Sequence, residues 1–347
     1  MAQSKSNLGT SNSLTDIAGL VVGNATCETT RTGVTVIRCQ TPMVCAVEIA
    51  GGGPGTRETD ALAPENLVDA VDAIVLAGGS VYGLAAADGV VSALGAAGAG
   101  FGLSNVPGIP KSPIVPSAIL YDLANGGNKN WGEEPPYREL GKQALTNAST
   151  QFAQGNAGAG YGALAGAIKG GLGSASITTQ DGFRVAALVV VNCFGSVLVP
   201  NSNQLWAAPF EQENEFGYQP EPTRTGGFDP EDWGAAKVNP GARQNTSLAV
   251  VATDLALTPA QAKRMAQMAS FGLARAIRPI AAPFDGDVVF ALATGEQKEH
   301  EVDAFTLARI GSLAADCVTR AIGRGIGAAR SIGTHQCWSD IQHKQQD

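Results

Sequence analysis

Histidine is scarce in this 347-residue chain: its three copies, His300, His335 and His343, all lie toward the C-terminal end. No H-E-x-x-H pair exists, which excludes that kind of zinc site. A Ser-His-Asp triad would have to recruit one of these three, each of which reads more simply as a surface residue. A hydrolase built on this sequence therefore needs a base other than imidazole. Cysteine is scattered over Cys27, Cys39, Cys45, Cys193, Cys317 and Cys337 with no C-x-x-C pair. That pattern reads as reduced thiols in a cytoplasmic protein, not as a zinc site or a disulfide frame. Aromatic residues make up 6% and charged residues 16%, the net charge is −8, and no basic run occurs. A surface that tracks nucleic-acid phosphates is thereby excluded, and the acidity serves solubility. No run of about twenty apolar residues is free of breakers, so no membrane span is expected. The polar tail 1–13 lacks the apolar centre of a signal peptide. The cluster at Gly51–Gly55 lacks the Lys-Ser/Thr ending of a P-loop. The stretch Gly155–Gly173 lacks the distant acid of a dinucleotide fingerprint. Neither cofactor nor metal is expected.

What the chain has in excess is glycine. Its 44 copies are nearly twice the average share of about 7%. They cluster at Gly51-Gly52-Gly53, Gly78-Gly79 and Gly170-Gly171, where backbone must turn tightly or be approached closely. With 44% hydrophobic residues a sizeable core can form. Apolar runs predict strands over Leu14–Val22, Gly33–Ile37, Met43–Ile49, Asp72–Leu76, Ile114–Asp122 and Phe183–Val191, with Ser196–Val199 as a possible hairpin partner. Asn66–Val71 reads as one helical turn. Helical spacing runs from Val81 to Leu94, and Pro135–Ala153 is polar and partly helical. From Asn201 to Gly241 the pattern fails, with Pro209, Pro220, Pro222, Pro230 and Pro240 interrupting it. A loop of that length is usually functional or disordered, and an exposed processing site would suit it.

After that loop the character changes at once. Thr246–Thr253 predicts a strand. Thr258-Pro259-Ala260-Gln261 predicts a capped helix start, continued by Ala262, Met265, Ala269, Leu273 and Ala276 on one face. Val288–Thr294 predicts a strand, and Phe305, Ile310, Leu313, Cys317 and Ile322 a last long helix. A threonine opening a strand just after a loop, preceded by Asn245, is what self-cleavage needs. Breaking the Asn245–Thr246 bond would give Thr246 a free α-amino group, of pKa about 7.7–8.0, beside its own hydroxyl. The plainer alternative is an ordinary loop-to-strand boundary.

Several ordered segments carry a family resemblance. They are Leu14–Gly23, Gly53-Pro54-Gly55-Thr56-Arg57-Glu58-Thr59-Asp60, Ala73–Ser80 with Tyr82-Gly83-Leu84, Lys169–Ser176, Asn245-Thr246, and Pro283-Phe284-Asp285-Gly286-Asp287. In this order the chain resembles, over about residues 14–332, the self-processing aminopeptidase/amidase family. That family includes D-aminopeptidase-type esterase/amidases, β-aminopeptidases and nylon-oligomer hydrolase. The resemblance implies an α/β N-terminal-nucleophile hydrolase with a four-layer α-β-β-α sandwich. It implies a precursor that cleaves itself into a larger chain, 1–245, and a smaller one, 246–347, within one structural domain, with 201–241 as the processing loop. It also implies a homo-oligomer, often a tetramer of cleaved pairs, acting on a small peptide or amide.

Carried over by position, Thr246 is the nucleophile, Asn192 the oxyanion asparagine, and Asp285 and Asp287 an acidic pair of the nylon-oligomer branch. That branch also has a lysine after the glycine-rich segment. Ala167 stands there, while Lys169 matches the Lys-Gly-Gly motif of the aminopeptidase branch, which leaves open whether Lys169 reaches the nucleophile. Chemically, the Thr246 amine replaces the missing imidazole, Asn192 donates to an oxyanion, and the two carboxylates hold an ammonium or orient the hydroxyl. In isolation Asp-Gly reads as a turn, Asn192 as a strand end, and Lys169 as a loop lysine. Two rivals stand beside hydrolysis. One is acyl transfer of the ornithine acetyltransferase kind, whose Ala-Thr-Met-Leu cleavage motif is absent. The other is a non-catalytic oligomeric relative.

Overall fold

The structure, a computed structural model, is described for residues 6–102, 106–217, 229–237 and 245–343. Its strands are β1 (Asn7–Leu8), β2 (Leu20–Cys27), β3 (Thr32–Ile49), β4 (Thr56–Arg57), β5 (Ala70–Ala77), β6 (Ser117–Ile119), β7 (Leu164–Ala165), β8 (Ile168–Lys169), β9 (Gly171–Thr178), β10 (Arg184–Val191), β11 (Leu248–Leu255) and β12 (Val288–Gln297). Its helices are α1 (Ala85–Ala96), α2 (Tyr137–Thr146), α3 (Pro259–Ala276), α4 (Ala304–Ala328) and α5 (Trp338–His343).

Alternation along the strands builds the layers. In β10, Val185, Ala187, Val189 and Val191 join the core under α3 and α4, whereas Ala186, Leu188 and Val190 face a second core. In β11 and β12 the same split separates Ala249, Val251, Val289 and Ala291 from Leu248, Val250, Val288 and Phe290. The second core also takes Ile37, Ile74 and Leu76 from β3 and β5. Val34, Val36, Ala73 and Val75 turn the other way, onto α1 and α2. A period of two with both faces buried requires cover on both sides, and the result is the expected helix-sheet-sheet-helix sandwich.

β3 ties the two sheet layers together. Its Thr32–Cys39 half pairs with β2, Val34–Arg38 pairs with β5, and Val44–Ile49 pairs with β12, with a register shift between Arg38 and Met43. β11 lies between antiparallel β10 and parallel β12. The chain entering β11 from residue 245 is therefore inserted mid-sheet. The α3 start is as the sequence predicts: Gln261 N donates to Thr258 Oγ1 at 3.3 Å, and Thr258 N donates to Gln261 Oε1 at 2.9 Å. No helix among the described residues is long and apolar enough to cross a membrane.

Several sequence-based expectations are corrected. Leu14–Asp16 is a 3-10 turn, held by Asp16 accepting from Ser13 N, and the strand begins only at Leu20. Gly33–Ile37 and Met43–Ile49 are one 18-residue strand, because polar residues between them continue the ladder across the register shift. The helical turn expected at Asn66–Val71 is displaced to Asp60–Leu62. Of Ile114–Asp122 only Ser117–Ile119 is strand. Ser196–Val199 forms isolated bridges to Arg278 and Leu205, not a hairpin strand. β9 was hidden in the glycine-rich stretch, where small residues allow α4 to lie close on the sheet.

Candidate active site

The entry to β11, the end of β10 and the turn before β12 meet at Thr246. Thr246 N donates to the Asn192 carbonyl at 2.9 Å, and the Thr246 hydroxyl donates to the Asn245 carbonyl. That same carbonyl accepts from Gly286 N at 2.9 Å. The carbonyl of the peptide bond joining Asn245 to Thr246 is thus polarised by one backbone amide while the neighbouring hydroxyl sits on it. Asn245 and Thr246 are buried, at 1% and 4% exposure. The exposed processing site expected from the preceding loop is therefore not what the structure has. The bond lies within the sandwich because β11 is an interior strand. Of the loop 201–241, residues 218–228 and 238–241 lie outside the described residues.

Asp285 and Asp287 come together as expected, with their turn pressed against Gly51–Gly53. Gly53 N donates to Asp285 O at 2.6 Å, and Ala50 N to Asp287 O at 2.9 Å. A Cβ on Gly51 would collide with the Asp285 carbonyl and the Asp287 amide. A Cβ on Gly286 would stand 2.6 Å from Thr246 Oγ1. Glycine is required at 286 by this close approach to the hydroxyl. Asp287 Oδ1 accepts from Ser247 N at 2.6 Å and its Oδ2 from Ala281 N at 3.0 Å. Asp285 Oδ2 accepts from Ala282 N at 3.0 Å. Burial, then the adjacent Asp285, push the Asp287 carboxyl up to about 7. Burial also raises Asp285, against the opposing pull of backbone amides and Lys237. Two neighbouring carboxyls in a dry site share their protons. Among the described residues, Asn245 Nδ2, Ser247 Oγ and Asp285 Oδ1 are buried without a well-formed hydrogen bond.

Asn192 is fully buried. Its Oδ1 accepts from Leu164 N at 2.9 Å and its Nδ2 donates to Tyr121 O at 3.2 Å. In the continuous chain its contact with Thr246 is thus through its own carbonyl, while its amide is fixed beside it. Lys169 is also buried, and its Nζ donates to the carbonyls of Gly160 (2.9 Å), Ala163 (3.1 Å) and Gly170 (2.7 Å). None of these bonds goes to Thr246. Desolvation lowers Lys169 to about 7. What it does here is brace the loop whose next residue, Leu164, holds Asn192.

Three groups went unrecognised in the sequence. The Gly286 amide could not be seen, because a backbone donor leaves no signature. Ser247 carries no signal beyond its place in the predicted strand. Lys237 lies in the Pro- and Gly-rich stretch, where a lone lysine carries no pattern. Its Nζ donates to Asn245 Oδ1 at 2.7 Å. Its nearness to Asn245 along the chain is the one available clue.

Fold and site together define a four-layer sandwich with a buried hydroxyl at the head of an interior strand. Comparison with known proteins sets it in a class. Residues 12–337 match the profile of peptidase family S58. An aminopeptidase of Mycobacterium tuberculosis (strain ATCC 25618 / H37Rv), named as uncharacterized, is 39% identical over 352 residues, covering 95% of this chain and 98% of that protein. The 6-aminohexanoate-oligomer endohydrolase of Kocuria sp. (strain KY2) is 30% identical over 289 residues, 81% of this chain and 74% of that protein. Among solved structures, the L-aminopeptidase D-Ala-esterase/amidase of Ochrobactrum anthropi, described as a variant of the Ntn hydrolase fold, superposes with a TM-score of 0.72 at 21% identity, over 99% of this chain and 95% of that one. A Burkholderia sp. beta-aminopeptidase gives 0.70 at 21% identity, over 98% and 96%. The chain belongs to peptidase family S58. It has the fold of the Ntn hydrolases and is a hydrolase of C–N bonds of the aminopeptidase/amidase kind.

Proposed function

We propose that the chain cleaves itself at Asn245–Thr246 and then hydrolyses short peptides or small amides through an acyl-Thr246 intermediate. The observation that carries this is the pair of contacts on one carbonyl oxygen: the Thr246 hydroxyl and the Gly286 N–H both donate to Asn245 O. In processing, the hydroxyl oxygen attacks the Asn245 carbonyl carbon. The C–N bond to Thr246 breaks, the nitrogen takes up the hydroxyl proton, and water hydrolyses the resulting ester. The products are chains 1–245 and 246–347. The new α-amine then accepts the Thr246 hydroxyl proton as that oxygen attacks a substrate carbonyl. The leaving amine departs with the proton, and water releases the acid.

In this reading Asn192 and the Gly286 amide stabilise the oxyanion. Asp285 and Asp287 hold the ammonium of the new terminus or of the substrate. Lys169 supports the loop that fixes Asn192. The two chains stay together because β11 remains laddered to β10. Exposed Phe271 and Phe305 on α3 and α4, and Val81, Tyr82 and Phe101 elsewhere, supply apolar surface for the homo-oligomer that the family resemblance implies.

Intact-mass measurement of purified protein is the test. Wild type is expected to give two fragments beginning at residues 1 and 246, and Thr246→Ala a single inactive chain. A wild-type chain that hydrolyses aminoacyl amides while still whole at residue 246 would overturn the proposal. A larger fragment lighter by one water, the mark of Asn245 cyclising onto its own carbonyl, would overturn the route through the hydroxyl.

A further inference from the structure

Outside the groups already assigned, one charged side chain touches the residue whose carbonyl is to be attacked. Lys237 Nζ lies 2.7 Å from Asn245 Oδ1. Asn245 is buried, and among the described residues its Nδ2 has no hydrogen-bond partner and Lys237 is the side chain that holds its Oδ1. The backbone leading into the lysine is fixed by two bonds: Lys237 N donates to Phe194 O at 3.0 Å, and Ala167 N to Ala235 O at 2.8 Å. Aromatic edges brace the same corner, with Phe194 against Phe284 at 4.7 Å and against Trp233 at 5.8 Å between ring centres. Phe284 directly precedes Asp285. The segment bearing Lys237 and the turn bearing Gly286 are therefore clamped to one another through Phe194.

We propose that Lys237 is a positioning residue for self-cleavage, holding the Asn245 side chain so that the Asn245 carbonyl stays on the Gly286 amide and under the Thr246 hydroxyl. The proposal rests on the self-cleavage reading above. The physical need is specific. An asparagine with a free side chain rotates about Cα–Cβ and can turn its amide onto nearby backbone. A charge-assisted bond to Oδ1 removes that freedom at the residue where a small misplacement is costly in rate. The titratable groups around the lysine are Asp285, Cys193 and His335. Desolvation lowers Lys237 to about 8, with Cys193 and Asp285 acting to keep it charged. Its hold on Asn245 is accordingly strongest below that pH.

The test follows the disappearance of the full-length chain by intact mass after synthesis, for wild type, Lys237→Met, Asn245→Ala and the double variant. Lys237→Met is expected to slow scission roughly tenfold to a hundredfold, the equivalent of one charged hydrogen bond. Asn245→Ala is expected to slow it comparably, and the double variant to be no slower than the worse single one. Lys237→Arg, which stays charged, is expected to restore most of the rate and to remove a fall in the wild-type rate above about pH 8 (the lowered lysine value). Wild-type speed in Lys237→Met, or full additivity in the double variant, overturns the role of Lys237 while leaving self-cleavage standing. A wild type that never cleaves removes both. Lys237→Met that cleaves slowly yet has wild-type kcat/KM once cleaved supports a role confined to processing.

Discussion

Two clusters of buried polar groups in this protein are treated in opposite ways. Around Arg320 everything is matched. Nε meets Glu215 Oε1 at 2.6 Å, Nη2 meets Glu215 Oε2 and Asn12 Oδ1 at 2.8 Å each, and Nη1 meets Ser176 O at 3.0 Å. Asn12 Nδ2 closes the ring onto Glu215 Oε2 at 2.7 Å. Around Thr246, by contrast, two carboxylates crowd each other, and among the described residues Asn245 Nδ2, Ser247 Oγ and Asp285 Oδ1 are buried without a well-formed bond. A saturated cluster has nothing left to offer a ligand and serves the fold. An unsaturated one costs stability and keeps its bonding capacity for a reaction. The Arg320 ring also joins parts of the chain on both sides of the proposed break, so it would keep the two products associated.

The largest effect that tests this contrast is expected from Glu215→Leu. It removes one partner of a buried ion pair and leaves the guanidinium uncompensated, a loss of about 3–5 kcal/mol. Urea unfolding should record it, while the protein that remains folded should still be cleaved and should keep its kcat/KM. If activity per folded molecule fell as steeply as stability, the division between a structural and a working cluster would be wrong.

The same contrast explains what could be read in the sequence. The layers were legible because alternating apolar residues in β10, β11 and β12 and the capping box before α3 are local patterns. The residues that the resemblance picks out, Asn192, Thr246, Asp285 and Asp287, do lie near one another, Asn192 meeting Thr246 through its backbone carbonyl. The resemblance carried that part, because an Asp-Gly-Asp taken alone is only a turn. Less legible was anything made by backbone or by packing. The donor on the Asn245 carbonyl is an amide of Gly286, and the reason for glycine there is a hydroxyl from another strand. The three carbonyls that Lys169 Nζ donates to are likewise contacts that no spacing rule foretells. The Arg320 ring joins Asn12, Glu215 and Arg320 across most of the chain, and Glu215 lies in a stretch whose sequence predicts only a loop.

Second in size is Asn192→Ala. Loss of an oxyanion donor is expected to lower kcat/KM roughly 10²–10³-fold. The Leu164 amide and Tyr121 carbonyl left behind should each cost about 1–3 kcal/mol of stability. Steady-state kinetics beside thermal unfolding would separate the two. A rate within a few-fold of wild type would remove Asn192 from the chemistry and leave it as a brace for two loops.

The smallest effect, and the one that bears most directly on the contrast, is Asp285→Asn. The asparagine keeps an oxygen for the Ala282 amide and replaces Oδ1, which has no well-formed hydrogen bond among the described residues, by a neutral group. Burial raises both carboxyls above the ordinary value, and the charge of Asp285 adds to the rise at Asp287, to about 7. Between about pH 4 and pH 7 the folded protein therefore holds protons that the unfolded chain has released. The stability these groups contribute is complete below about pH 4 and is lost as pH rises through 7. Removing one charge of the pair should flatten that decline and make the variant more stable than wild type at pH 7, by about 1 kcal/mol, while activity falls. Denaturant midpoints measured across this range would decide it. A variant less stable at pH 7, or one with the wild-type slope, would mean that the crowded carboxylates are held as comfortably as the Arg320 ring, and that the site is not where this fold gives up stability.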